Sequence, residues 1–280
     1  MNMQEKLEME QPLDQIAFAL FDVETTGLSP AYGHRICEVA CIRVRAGTEV
    51  GRMESLVNPG RAISPGAYEV NRIESELLTN APIFEQIAGE LLELVQDAVL
   101  VAHNAPFDLG FLAKELEIAQ MPPPEGAVVD TLVLSRRAFS FGSNSLSAVG
   151  RALGVLVEPT HRAMADVETM RYVLEEILLT LDQRWGVTTL GQLLDFQGGP
   201  VPYPAPLALP LPPTIAEALE SRGRVLMRYV DAKGRETERI VRPIQVSERH
   251  GLLYLTAHCH RRGELRTFRL DRVLELAREE

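Results

Sequence analysis

Seven of the 14 residues from 200 to 213, PVPYPAPLALPLPP, are proline. Each proline fixes φ and removes an N–H donor, so neither a helix nor a central strand can pass through; extended polyproline backbone is expected. The stretch divides the 280-residue chain into a large part and a small one. The expected organisation is an N-terminal tail over 1–14, a domain over 15–196, a semi-rigid linker over 197–213 hinged at Gln-Gly-Gly, and a second domain over 214–280. A Pro-rich ligand for another protein is the alternative reading of the linker.

Charge follows the same division. The chain has a net charge of -11, but residues 214–280 hold 14 Lys and Arg against 11 acids, and 13 of those cations are Arg. The first 213 residues hold 14 cations against 28 acids. Such asymmetry points to an anionic partner for the small part, or to a small sheet with solvated arginines. No apolar stretch approaches the ~20 residues that span a bilayer, and MNMQEKLEMEQPLDQ lacks the basic start and apolar block of a signal peptide. Three cysteines without metal-ligand spacing fit a reducing compartment, so a cytoplasmic protein with no membrane partner is expected.

In the large part, strand-like runs come first, at 16–23, 35–44 and roughly 50–57. Helical periodicity follows at about 67–78 and 83–96, then a strand at 98–103, a helix at 105–118 and a short strand at 127–130. Helices are expected near 131–138 and 145–153, and a last long one over about 162–181. Three sequential strands followed by alternating helices and strands imply an α/β fold with a mixed sheet flanked by helices.

Against that frame of core strands, LFDVETTGL at 20–28 places Asp22 and Glu24 at the tip of an apolar run. Two apart on a strand, they leave the same face, and charged groups are rarely buried unless paired or bound to metal. HNAPFD puts Asn104 at a helix N-cap position, Pro106 in the first turn and Asp108 beside the strand's carboxyl end. HRAMAD puts His161 just before the last helix and Asp166 one to two turns into it. Four carboxylates suit two hard divalent ions, Mg²⁺ or Mn²⁺, and a histidine beside them can take a proton from water at neutral pH.

Together FDVETTGL, LVNPG, LVAHNAPFDLGFL, DTL and His161-x-x-x-x-Asp166 resemble the DnaQ-like exonucleases of the DEDDh class, over about residues 15–181. The resemblance implies an RNase H-like fold and metal-dependent 3′-to-5′ hydrolysis of nucleic-acid ends, with single-stranded DNA the expected substrate and RNA the alternative. It implies Asp22, Glu24, Asp108 and Asp166 as metal ligands and His161 as the general base. Thr25, Thr26, Gly27, Leu28, Asn104 and Phe107 become candidates for holding the terminal nucleotide. Asn71-Arg72 stands where many relatives read His-Gly, which leaves the choice of end and sugar open, or marks a solvated helix face. Asp130 is expected to cap the helix after it. QLLDF at 192–196 is similar to peptides that dock on sliding clamps, but is expected to end an amphipathic helix. A polymerase or clamp partner therefore rests on little else.

The small part begins with a helix, TIAEALESRG, followed by strand-like pieces RVLMRYV, ERIVRPIQV, GLLYLTAHCH and LRTFRLDRV. In the third, Tyr254, Thr256, His258 and His260 share one face, which suits an oligonucleotide-binding sheet. HCH at 258–260 looks metal-like, but strand neighbours alternate sides and no second ligand pair exists. VLMRYVDAKGRETERIVRP, LLYLTA and LRTFRLDRV resemble a WYL domain, a small SH3-like β-barrel, with Leu253-Tyr254-Leu255 in place of the signature triplet. On that resemblance Tyr254, His258, Arg266 and Arg269 are candidates for binding nucleic acid or a nucleotide ligand. A regulator that senses a nucleotide through this module, with the nuclease fold as a binding unit, is the competing class. An intact set of five catalytic residues argues against it.

Overall fold

The computed structural model describes residues 9–27, 30, 33–155, 162–202, 212–231, 234–249 and 252–279. Leu28, His161 and most of the proline stretch lie outside the described residues. The strands are β1 (Ala17–Thr25), β2 (Ile36–Arg45), β3 (Thr48–Leu56), β4 (Val99–Ala102), β5 (Val128–Asp130), β6 (Val225–Val230), β7 (Glu236–Arg249), β8 (Leu252–Cys259), β9 (Glu264–Arg269) and β10 (Val273–Arg278). The helices are α1 (Pro65–Asn71), α2 (Ser75–Thr79), α3 (Phe84–Val95), α4 (Ala105–Ile118), α5 (Thr131–Ala138), α6 (Leu146–Ala152), α7 (Ala163–Trp185), α8 (Leu190–Gln197) and α9 (Pro213–Ser221).

The chain divides into two compact units: Met1–Thr25, Arg35–Arg61 and Ile73–Pro204 in the first, Thr26–His34, Ala62–Arg72 and Ala205–Glu280 in the second. The first unit is built on a mixed sheet ordered β3-β2-β1-β4-β5, antiparallel from β1 through β3 and parallel from β1 through β5. Strand β1 is apolar on both faces because both are covered. Phe18 and Leu20 join a core with Ile42, Val101, Val167 and Met170 on the α7 side. Ala19, Phe21 and Val23 join Leu91, Leu109 and Leu112 of α3 and α4 on the other. That alternation decides which helix an acid on β1 can meet.

Two expectations change. The helix expected over 67–78 is two helices, because Arg72 ends α1 in the left-handed conformation (φ 54°) and Ile73 turns inward. Asn71 is buried, so the solvated-face reading fails for it, while Arg72 is exposed over the Tyr68 ring. Helix α7 runs on to Trp185 and stops at Gly186, whose positive φ of 65° suits a residue without Cβ.

In the second unit an antiparallel sheet runs β10-β6-β7-β8-β9, with α9 packed on its core through Ile215 and Leu219. The piece expected as one strand, LRTFRLDRV, breaks at a 3₁₀ turn, Leu270–Arg272, which carries the chain from β9 to β10 at the opposite edge of the sheet. No helix among the described residues is long and apolar enough to cross a membrane.

Candidate metal centre and its surroundings

Asp22 and Glu24 share their face of β1 with Phe18 and Leu20, the face that packs on α7. Asp166 sits in the first turn of α7. Asp22, Glu24 and Asp166 each present a carboxylate oxygen, and the three lie within 4.8 Å of one another. The site stands past the carboxyl end of β4, because β4 pairs with β1 only from Phe18 to Leu20. Beyond that ladder Val23 has no strand partner on this side, and its N–H donates to Asp108 Oδ1 at 3.3 Å. Asp108, in the first turn of α4 and almost wholly buried, thus meets β1 between the other two acids.

The electrostatics are those of crowded carboxylates. Burial pushes the Asp22 carboxyl well above its ordinary range, and Asp108, Glu24, Asp166 and Glu38 push it further. Burial also raises Asp108, to about 8, against the lowering effect of the Val23 N–H and its own backbone N–H. Asp130 and Asp166 add to the rise.

Asn104 heads α4 as expected, but in the left-handed conformation (φ 72°) and without a side-chain cap hydrogen bond. Its backbone N–H donates to Asp130 Oδ1 at 3.0 Å. Asp130 also caps α5 by accepting from the Leu132 N–H at 2.9 Å. Phe107 is partly buried against Phe111, with ring centroids 5.1 Å apart. QLLDF lies in α8, where Leu193, Leu194 and Gln197 are buried, so that segment is not free to dock as a peptide.

Thr25 closes β1 and is buried. Thr26 and Gly27 follow it in the chain and pack within the second unit. There Thr26 Oγ1 lies 3.1 Å from His34 Nδ1, and His34 Nε2 lies 2.8 Å from Glu220 Oε1. A carboxylate only accepts, so Nε2 carries a proton and the Thr26 hydroxyl completes Nδ1. Gly27 is required by space: a Cβ there would sit 2.2 Å from the buried His34 ring. Gly27→Ala should destabilise the fold by ~1–3 kcal/mol, as overpacking does. Thermal melting of variant and wild type would show it, and an unchanged midpoint would count against this packing.

On the C-terminal sheet, paired residues share a face. Three cross-strand rows result: Ser247–Tyr254–Arg269, Gln245–Thr256–Thr267 and Arg242–His258–Leu265. His258 and His260 lie on one side, as expected, with ring centroids 5.2 Å apart. Arg266 pairs with Ala257 and so faces away from Tyr254 and His258. The expected set Tyr254, His258, Arg266 and Arg269 therefore loses Arg266 from its face and gains exposed Arg242. Alternation along β9 already separates Arg266 from Arg269, whereas Arg242 joins the face only through the register and the β7 bulge between Pro243 and Gln245.

Comparison with known proteins gives the family. Residues 20–174, more than half the chain, match the family described as Exonuclease. The chain belongs to the DnaQ-like exonucleases. Residues 211–278 of the chain match the WYL domain. It is 37% identical over 191 residues to a DNA polymerase III subunit epsilon-like protein of Rhodobacter capsulatus, covering 66% of this chain and 27% of that protein. It is 34% identical over 180 residues to a PolC-type DNA polymerase III of Staphylococcus haemolyticus, covering 64% of this chain and 12% of the relative. The chain thus spans only a minor part of these relatives.

Among solved structures it is similar to exonuclease X in complex with 5′ overhanging duplex DNA (28% identity, TM-score 0.50), covering 65% of this chain and 99% of that one. It shares its fold with Escherichia coli exonuclease I in complex with a dT13 oligonucleotide (18% identity, TM-score 0.54), covering 86% of this chain and 55% of that one.

The donor set of the site fits a hard divalent cation. Its ligating atoms are carboxylate oxygens, which suit Mg²⁺ and Mn²⁺ better than softer metals. Burial first and then the neighbouring acids disfavour the Asp22 carboxylate, and a bound cation would offset both.

Proposed function

We propose that this chain is a divalent-metal-dependent exonuclease that removes nucleotides from 3′ ends of DNA, single strands foremost. The observation that carries the reading is the convergence of Asp22, Glu24 and Asp166 within 4.8 Å in a chain of the exonuclease family. With Asp108, they are the proposed holders of Mg²⁺ or Mn²⁺. When bound, such ions neutralise phosphate charge and promote attack of water on the phosphodiester. His161 is the proposed general base, since an imidazole with an ordinary pKa near 6.5 accepts a proton at neutral pH. Thr25, Thr26, Gly27 and Leu28, next in the chain after Glu24, are proposed to meet the terminal nucleotide, as are Asn104 and Phe107. The side chains of Thr25 and Thr26 are buried.

DNA is favoured over RNA because the 37%-identical relative is named for a DNA polymerase subunit and the 28%-identical structure holds duplex DNA. Digesting 5′-labelled DNA and RNA strands of one sequence with Mg²⁺, Mn²⁺ or EDTA tests the reading. Products shortening one nucleotide at a time from the 3′ end, faster on DNA and absent in EDTA, are expected. Products released from the 5′ end, or digestion that survives EDTA, would overturn it.

The working domains are 15–196 for the nuclease and 214–280 for a module that holds the strand. Residues 1–213, with 14 cations against 28 acids, repel a polyanion, and an Arg-rich module joined by a Pro-rich segment offsets this by raising the local strand concentration. Arg242 is exposed, whereas Arg269 is bridged to Asp271, so Arg242 is expected to carry the larger share. Arg242→Ala with Arg269→Ala should weaken binding of long single strands and make its salt dependence shallower, by about 0.7 in log–log slope per lost phosphate contact. Cleavage of very short oligonucleotides should hardly change. Fluorescence anisotropy over a salt series measures this; equal slopes would remove nucleic acid as the module's ligand.

A further inference from the structure

A fifth acid faces the metal centre without being free to bind metal. Glu38 is the cross-strand partner of Glu24 and is fully buried on the same face of the sheet. Its Oε1 accepts from Arg162 Nε at 2.9 Å and from Arg162 Nη2, and its Oε2 accepts from Arg162 Nε at 3.0 Å. Oε2 also accepts the backbone N–H of Ala163 at 3.1 Å. A carboxylate offers about four lone-pair positions, and here three N–H donors, with Arg162 Nε shared between the two oxygens, engage both oxygens. Glu38 therefore does not act as a ligand.

Its contacts all go to the start of α7. Arg162 is the N-cap residue and makes no side-chain cap of its own. Glu38, reaching across from β2, accepts the first helical N–H in place of a local cap, and its charge suits the helix N-terminus. The Arg162 carbonyl in turn accepts the Asp166 N–H at 3.1 Å. A continuous chain of contacts thus joins the strand acids to the helix acid: Glu24 pairs with Glu38, Glu38 grips Arg162 and Ala163, and Arg162 holds Asp166. The guanidinium fork restrains orientation as well as distance, which a point charge would not.

We propose that Glu38 and Arg162 are positioning residues that set the separation between the Asp22–Glu24 pair and Asp166, and so the affinity of the centre for a divalent ion. The proposal rests on the metal-binding reading above. Groups that orient metal ligands change affinity by roughly 10- to 100-fold when removed. Glu38→Gln turns an acceptor into a donor facing the guanidinium, and Arg162→Lys keeps the charge but loses the fork.

Mn²⁺ binding to the full chain, followed by electron paramagnetic resonance, separates the possibilities. Wild type should bind Mn²⁺, and Asp22→Ala should abolish or greatly weaken that binding; if wild type binds none, the metal reading itself fails. Given wild-type binding, Glu38→Gln should weaken Mn²⁺ by roughly 10- to 100-fold, and Arg162→Lys by less. The Mn²⁺ concentration for half-maximal hydrolysis should rise in parallel, with activity recovering at high metal. Arg162→Lys keeps the charge opposite Glu38 and serves as the test if Glu38→Gln does not fold. A purely structural clamp would lower the melting temperature yet leave Mn²⁺ affinity of the folded protein at the wild-type value in both variants. That result would overturn the inference.

Discussion

Asp22→Ala is expected to reduce hydrolysis by roughly 10³-fold or more. Loss of metal-centred charge stabilisation amounts to several kcal/mol of barrier, and each ~1.4 kcal/mol is a factor of ten. The same change should stabilise the metal-free protein. Burial, with Asp108, Glu24, Asp166 and Glu38 nearby, holds the Asp22 carboxyl well above its ordinary range. The native state therefore binds protons that the unfolded chain has lost, so stability falls as pH rises above the ordinary carboxylate range. Asp108, raised to about 8, extends that window toward pH 8.

The melting temperature of metal-free wild type should accordingly drop between pH 5 and 8, and excess Mn²⁺ at pH 8 should restore it. Asp22→Ala should drop less and melt higher at pH 8, where ~1 kcal/mol corresponds to roughly 2–4 °C in a domain of 150–250 residues. Calorimetry across pH with and without Mn²⁺, beside a labelled-strand assay, measures both effects. Wild-type turnover by Asp22→Ala would end the two-metal assignment.

The second large effect is expected at His161. His161→Ala should slow turnover by roughly 10²- to 10⁴-fold at neutral pH, the usual contribution of a general base. Mn²⁺ affinity should stay at the wild-type value, since no carboxylate is lost. A variant within a few-fold of wild type at pH 7, or one that loses Mn²⁺ binding, would take the base role from His161.

Much of the site was legible because its chemistry contradicts its surroundings. Asp22 and Glu24 end a run whose other residues are apolar, and water-loving groups in a core strand require an explanation. The same signal stood at Glu38 within RICEVACIRV, where a single acid interrupts a buried strand. Its partner, Arg162, lies 124 residues away, and no local pattern links the two.

Local sequence determined the strands and most of the helices, because periodicity and punctuation by Pro and Gly act within a few residues. It also determined that Asp22 and Glu24 share a face, since strand alternation has no other outcome. Tertiary structure alone decided the rest. It broke the helix at Arg72, where left-handed backbone lets Ile73 turn inward. It put Arg242 on the face of Tyr254 and His258, because the β7 bulge shifts the register, and it put Arg266 behind that face by pairing it with Ala257. And it saturated Glu38 with hydrogen bonds while leaving Asp22, Glu24 and Asp166 converging on one another. A carboxylate's role depends on which donors reach its lone pairs, and those donors come from parts of the chain that only folding brings together.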